Sequence, residues 1–228
     1  MEKITLKEVS YSYRTKYQTV HAVKDATCTF EAGKVYAITG ESGSGKSTLL
    51  SLLAGLDLPE GGDLIVDGTD MREKNRDVYR KSEASVVYQA FHLLPLLTVE
   101  ENVMLPMELN GMPKSERRKR AAEYLEKVGL PKETHQKFPK MMSGGQQQRV
   151  AIARSLASGS KILLADEPTG NLDTENGQNV VNILLELAHE EGYLVIMVTH
   201  NHDVAAQADV VYRMKDGMLV STDRERAS

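Results

Sequence analysis

The chain has 228 residues, 41% hydrophobic and 26% charged, which is enough apolar material for one sizeable core and ordinary for a globular protein. A formal net charge of −4 excludes an overall basic field that would draw in nucleic acid, and the single cysteine, Cys28, excludes an internal disulfide and fits a reducing compartment. No window approaches the ~20 apolar residues needed to span a bilayer, and no apolar leader follows Met1-Glu2, so the expectation is a chain with no signal peptide and no membrane insertion of its own.

Residues 1–39 read as β structure. Ile4 and Leu6 alternate with polar neighbours, Ala26, Cys28 and Phe30 alternate again, and Glu31-Ala32-Gly33 makes a turn before an apolar strand over 35–39. Strands this close in sequence predict an antiparallel flap. Within it, Tyr13 of Tyr11-Ser12-Tyr13 has two readings: an ordinary strand tyrosine, which composition alone favours, or a ring that stacks on a purine face.

Next comes Gly40-Glu41-Ser42-Gly43-Ser44-Gly45-Lys46-Ser47, which fits the phosphate-loop pattern G-x-x-x-x-G-K-[ST] at every required position. Strand before it and apolar helix after it, from Thr48 to Ala54, supply the context the motif requires. Glycines let the backbone curl with its N–H groups pointing inward, and the helix N-terminus adds partial positive charge. Lys46 is expected to reach the β- and γ-phosphates and the Ser47 hydroxyl to ligate Mg²⁺. A flexible linker would not run at once into Lys, a hydroxyl and an apolar helix.

Pro59-Glu60-Gly61-Gly62 is a turn, residues 64–66 a strand, Asp67-Gly68 its end, residues 70–83 a charged helix or loop, and residues 85–88 another strand that ends at Gln89. Residues 90–155 read as a mostly helical insertion. Pro113, Ser115 and Glu116 start a helix with Ala121, Ala122, Leu125 and Val128 at helical spacing, and Gly129 stops it. The run Arg117 to Arg120 is read as a solvated helix face rather than a nucleic-acid patch, because Glu116, Glu123 and Glu126 are interleaved and no aromatics accompany it. Ser143-Gly144-Gly145-Gln146 is a capping box ahead of a helix with an apolar stripe at Val150, Ala153, Leu156 and Ala157. Two glycines in its first turn are costly, so close backbone approach by an anion is expected there.

Residues 161–165 form a buried strand that ends at Asp166-Glu167. Beside a phosphate loop, Asp166 suits the second Mg²⁺-organising acid and Glu167 the group that orients or deprotonates the attacking water. Alone, the pair would be a loop or helix-start feature. Asn171-Leu172-Asp173 is a turn, residues 180–188 an amphipathic helix, and residues 193–199 a strand with His200 at its carboxyl end, the ligand side of such a sheet. Lys215-Asp216-Gly217 joins a closing hairpin.

Together these motifs resemble the ATP-binding cassette ATPases of ABC transporters, over nearly the whole chain and in the family's order. Gly40 to Ser47 matches Walker A, Gln89 the Q-loop, Ser143 to Gln146 the signature motif, Ile162 to Asp166 Walker B, Glu167 the catalytic glutamate, Asn171 to Asp173 the D-loop and His200 the H-switch. Tyr13 aligns with the adenine-stacking aromatic. Met142 and Tyr88 replace a leucine and a phenylalanine, near volume-conserving changes. The resemblance implies a single 1–228 domain: an α/β RecA-like phosphate-loop core (1–89 and 156–228) with an antiparallel β subdomain, and a helical subdomain over 90–155. It implies ATP and Mg²⁺ bound by Tyr13, Gly40, Ser42, Gly43, Ser44, Gly45, Lys46, Ser47, Thr48 and Asp166, with Gln89 also near the metal and with Glu167, His200 and Gln89 in catalysis. Ser143, Gly144, Gly145 and Gln146 act in trans and Asp173 through the D-loop, so two copies close head to tail around ATP. Residues 91–103 and 166–173 are similar to the macrolide-exporter and lipoprotein-releasing group, which implies an integral-membrane permease partner and a place on the inner face of the cell membrane. A regulatory cell-division type of cassette and a soluble cassette acting on ribosomes or DNA are the alternatives.

Overall fold

The computed structural model describes residues 2–221. Two sheets and their helices form three layers. The first sheet is antiparallel, in the order β2-β1-β4-β5, from β1 (Glu2–Arg14), β2 (Thr19–Glu31), β4 (Gly61–Val66) and β5 (Thr69–Asp70). Its inner face carries the alternating residues: Ile4, Leu6, Val9, Ala26, Phe30, Leu64 and Val66 are all buried. This is the flap that the period-two pattern predicts.

The second sheet has the order β10-β9-β3-β8-β7-β6, from β3 (Val35–Thr39), β6 (Ala84–Tyr88), β7 (Ile162–Asp166), β8 (Leu194–Val198), β9 (Val210–Lys215) and β10 (Met218–Ser221). The strands from β9 to β6 run parallel, and β10 turns back antiparallel. Strands buried on both faces read as continuous apolar runs, and β3 and β8 are buried at every residue. The pleat sorts them into two cores. Tyr36, Ile38, Leu164 and Ile196 face the antiparallel sheet and helix α1 (Lys46–Leu53). Val35, Ala37, Leu163, Ala165, Val195 and Met197 face the helices of the other side.

Residues 70–83 settle into β5, a turn and α2 (Arg76–Ser82), which starts where the Asn75 side chain accepts from the N–H groups of Asp77 and Val78. Helices α3 (Val99–Leu109), α4 (Lys114–Lys127) and α5 (Gly144–Ala157) pack on one another through Val103, Met107, Ala121, Leu125 and Val150. Two 3₁₀ helices, Lys132–Thr134 and Pro139–Met141, lead into α5. The basic run on α4 is knitted to acids, Arg118 to Glu100 at 3.1 Å, Arg120 to Glu116 at 3.2 Å and Arg117 to Glu108. Helix α6 (Thr174–Glu191) covers the sheet beside α5, and α7 (His202–Ala205) follows β8. The closing hairpin is more than an edge feature: β9 lies directly against β3, which sets it behind the phosphate loop.

Candidate active site

The carboxyl ends of β3, β7 and β8 point the same way, and the loops that leave them surround a cleft of about 790 Å³. Tyr13, Gly40, Ser42, Gly43, Gly45, Lys46, Ser47, Thr48, Gln89, Asp166, Glu167 and His200 line it. Residues from five separate regions of the sequence thus meet at one sheet edge, the place where an open parallel sheet binds its ligand.

The phosphate loop is shaped from behind as well as from the cleft. At Gly40 (φ +149°) a Cβ would sit 2.2 Å from the carbonyl oxygen of Met214 on β9, and at Gly45 (φ +106°) 2.0 Å from that of Ala22 on β2. No other residue fits either position. The Gly217 N–H donates to the Ser44 carbonyl at 3.1 Å and the Gly217 carbonyl accepts from the Lys24 N–H at 2.8 Å, so the closing hairpin ties the loop to β2. Lys46 Nζ donates to the carbonyls of Gly40 and Glu41, both at 2.8 Å. Its ammonium is therefore held over the loop's mouth, where an anion would take over these bonds. The Ser44 hydroxyl is buried and has no hydrogen-bond partner.

Asp166 ends β7 half-buried. Burial pushes its carboxyl above the usual aspartate range, the neighbouring Glu167 pushes it the same way, and Lys46 opposes them. Glu167 takes a left-handed backbone, φ +48°, which costs a residue with a Cβ about 1–2 kcal/mol. Its N–H donates to the Val198 carbonyl at 2.9 Å, which locks the turn onto β8. That turn lifts the Glu167 carboxylate to His200: Nδ1 lies 2.9 Å from Oε1, and the His200 N–H donates to Oε2 at 3.4 Å. Gln89 Nε2 donates to Asn171 Oδ1, and Asn171 Nδ2 donates back to the Gln89 carbonyl, each at 3.0 Å. A Cβ on Gly170 would meet Gln89 Nε2 at 2.7 Å, so glycine there makes room for this clasp.

Tyr13 sits at the cleft's rim, its hydroxyl 3.3 Å from Thr48 Oγ1 and its ring edge-on to Tyr11 at 5.2 Å. It is 46% exposed, unlike the buried residues of the same strand. An exposed ring at the mouth of a cleft is poor as packing and good as a stacking surface.

Ser143, Gly144, Gly145, Gln146 and Asp173 do not line the cleft. Ser143 Oγ accepts from the Gln146 N–H at 3.3 Å and the Ser143 N–H donates to Gln146 Oε1 at 3.0 Å, the full capping box. One expectation needs correction. A Cβ on Gly145 would lie 2.4–2.7 Å from the side chain of Asn176, so internal packing against α6 already demands that glycine. At Gly144 the nearest atoms are at 3.5 Å, ordinary contact, and of the two glycines only this one has no contact among the described residues that requires the bare backbone. Asp173 caps α6: its Oδ1 accepts from the Asn176 N–H at 2.9 Å and its Oδ2 from Asn176 Nδ2 at 2.8 Å, bonds that hold its carboxyl below the usual range.

Three residues have partners that the sequence does not name. Asn171 clasps Gln89. Gln148 is fully buried, donates to the Pro168 carbonyl at 2.9 Å beside Glu167, and leaves its Oε1 without a partner. Arg154 bonds the backbone just after Gln89. A signal existed for Gln148: it lies four residues before Ile152 and so on the buried stripe of α5, where a polar side chain calls for an internal partner.

A family model described as ABC transporter matches residues 23–170. The chain belongs to the ABC transporter family. It is 43% identical over 229 residues to the macrolide export ATP-binding/permease protein MacB of Aggregatibacter actinomycetemcomitans, covering 99% of this chain but 35% of that protein, so the chain spans about a third of that relative's length. It is 46% identical over 199 residues to the lipoprotein-releasing system ATP-binding protein LolD 2 of Rhodopirellula baltica, covering 83% and 78%. Among solved structures it is similar to the dimeric post-hydrolysis state of the ATP-binding cassette MJ0796 bound to ADP and Pi, with a TM-score of 0.86 and 38% identity over 95% of this chain and 96% of that one. The chain is thus an ABC ATPase of the MacB and LolD type, with the fold of an ABC cassette.

Proposed function

We propose that this cassette powers an integral-membrane permease of the macrolide- or antimicrobial-peptide-exporting or lipoprotein-releasing type, through ATP-driven pairing of two cassettes on the inner face of the membrane. The observation that carries the pairing is the separation within one chain: the cleft holds Lys46, Asp166 and Glu167, while the Ser143 capping box and the bare Gly144 lie outside it. A helix N-terminus with no side chain in the way is suited to a phosphate, and here only another copy's phosphate is left for it. The names of MacB and LolD 2, a macrolide export ATP-binding/permease protein and a lipoprotein-releasing system ATP-binding protein, support the membrane partner. Among the described residues no helix is long and apolar enough to cross a membrane.

In this reading Lys46 leaves the carbonyls of Gly40 and Glu41 for the β- and γ-phosphates, the loop N–H groups hold the remaining oxygens, and Tyr13 stacks on the adenine. Ser47, Asp166 and Gln89 are oxygen donors of the kind Mg²⁺ takes, and the raised Asp166 carboxyl fits a site that a cation would relax. Bound there, Mg²⁺ neutralises charge developing on the phosphates. Gln89 turns from Asn171 to take part. Glu167 accepts the proton of the attacking water, and His200, already bonded to it, fixes the carboxylate's direction.

The test is Glu167→Gln. The amide keeps size and hydrogen bonding but cannot take a proton. Turnover should fall ~10²–10⁴-fold, ATP should still bind, and a stable dimer should appear in light scattering at millimolar Mg-ATP. A variant that remains monomeric there would refute the pairing.

A further inference from the structure

The segment after Gln89 makes a turn that its residues resist. Phe91 has φ +59° and His92 φ +47°, two consecutive side-chain-bearing residues in the left-handed region, a conformation that persists only where neighbours over-determine it. What over-determines it comes from a different element. Arg154, in the last turn of α5, donates from Nη1 to the His92 carbonyl at 2.6 Å and from Nη2 to the Phe91 carbonyl at 3.1 Å. The guanidinium fork thus clamps both strained peptides at once, a geometry a lysine does not reproduce. Tyr88, the residue before Gln89, closes the other side with its ring 4.9 Å from that of His92.

We propose that Arg154 is a positioning residue for hydrolysis: by clamping the carbonyls of Phe91 and His92 it sets the path along which the Gln89 side chain travels between Asn171 and the metal. Two further observations lead to the same place. Gln89 lines the nucleotide cleft. Arg154 lines a second, largely apolar cavity of about 430 Å³ between the edge strand β6 and helices α3 and α5, together with Tyr88 and Leu94. Arg154 therefore borders the second cavity and bonds residues 91 and 92, which connect Gln89 of the first cavity to Leu94 of the second. Its burial pushes the guanidinium below its ordinary pKa, a cost that only well-made hydrogen bonds offset.

The inference rests on the reading of Gln89 as a donor to Mg²⁺, and the experiment separates the two. Arg154→Met keeps the apolar stem and removes every donor. Arg154→Lys keeps the charge and a donor group but not the planar fork, and stands in if the methionine variant does not fold. Steady-state turnover of the full chain is measured against Mg²⁺ concentration at saturating ATP, and ATP affinity is measured without Mg²⁺. We expect Arg154→Met to lower kcat about 10–100-fold, the scale of a misplacement of about 1 Å, to raise the half-saturating Mg²⁺ concentration, and to leave metal-free ATP affinity within about twofold. Arg154→Lys should recover part of both effects, and adding Gln89→Ala to either variant should change little more. If kcat falls while the Mg²⁺ dependence stays where it was, Arg154 is only structural and the proposal is overturned. Unchanged kcat and Mg²⁺ dependence in both variants overturns it too. If Gln89→Ala alone leaves the Mg²⁺ dependence unmoved, the metal reading of Gln89 fails first, and the proposal falls with it for that separate reason.

Discussion

Gly144 and Gly145 are adjacent, both in the first turn of α5, and the structure gives them opposite reasons to be glycine. Replacing Gly145 with alanine puts a Cβ 2.4 Å from Asn176 Oδ1, 2.6 Å from its Cγ and 2.7 Å from its Cβ. Asn176 cannot step aside cheaply, because its amide is bonded to Asp173 Oδ2 and its N–H to Asp173 Oδ1. Overpacking of this kind costs ~1–3 kcal/mol, and a lost hydrogen bond adds ~1 kcal/mol. Alanine's better helix propensity returns at most ~1 kcal/mol. Gly145→Ala should therefore lose about 2 kcal/mol, a drop in Tm of about 4–8 °C for a domain of this size, and Asn176→Ala in the same chain should restore only part of it, because the Cβ contact at 2.7 Å remains. Gly144→Ala meets nothing closer than 3.5 Å, so it should be as stable as the parent or slightly more so. In the proposed pairing its methyl would nevertheless stand on the face offered to the other copy's phosphate, and turnover should fall by tenfold or more. Differential scanning calorimetry and a phosphate-release assay on both variants decide it. A destabilised Gly144→Ala beside an unaffected Gly145→Ala would show that the assignment of the two glycines is reversed.

Asp166→Asn should trade function for stability. Its carboxyl is raised above its unfolded value by burial and by Glu167, so ionising it costs more in the fold than in the open chain, and that penalty is complete at neutral pH. The variant should melt higher than the parent at pH 7, converge with it as pH falls below about 4, and hydrolyse no ATP; a lower Tm at pH 7 would contradict the sign. Lys46→Ala should abolish tight nucleotide binding, read by fluorescent-analogue titration, since the ammonium that bonds the carbonyls of Gly40 and Glu41 at the loop's mouth is gone. Ser143→Arg should bind ATP normally and stop turning over if, as proposed, the two duties fall on different copies; normal turnover would remove the signature motif from the composite site.

Much of this was legible in the residues. The strand-loop-helix around Gly40 to Ser47 and the strand ending in Asp166-Glu167 are local patterns, and local patterns survive folding. The alternation in β1 and β2 and the unbroken apolar runs of β3, β7 and β8 likewise announced one sheet with a wet face and one without. What the sequence concealed is pairwise and long-range. Nothing near Gly145 says that Asn176 will lie against it, and nothing near Gln89 names Asn171, 82 positions away, as its partner. The close approach of Met214 to Gly40 is equally invisible, because the phosphate-loop pattern already explains a glycine there and leaves no residue to puzzle over.

The order of strands also dictates when the molecule is able to fold. Strand β3 leads into the phosphate loop and lies near the middle of its sheet, yet its neighbours β8 and β9 are encoded about 160 and about 174 positions later. At ~5–20 residues per second of synthesis, a newly made β3 waits roughly 10–30 s before its first backbone partner leaves the ribosome. For that interval an apolar, unpaired strand is a template for the wrong neighbour. The hairpin of the long strands β1 and β2 precedes β3 in the chain and can shelter the strand's Tyr36 and Ile38 face, before β4 and β5 complete the antiparallel flap. The nucleotide pocket is then among the last parts of the molecule to exist, since its rear wall is the closing hairpin. A nascent chain becomes able to grip ATP only as its final strands arrive, so ATP in the surrounding solution rewards completed folding and has no hold on the intermediates before it.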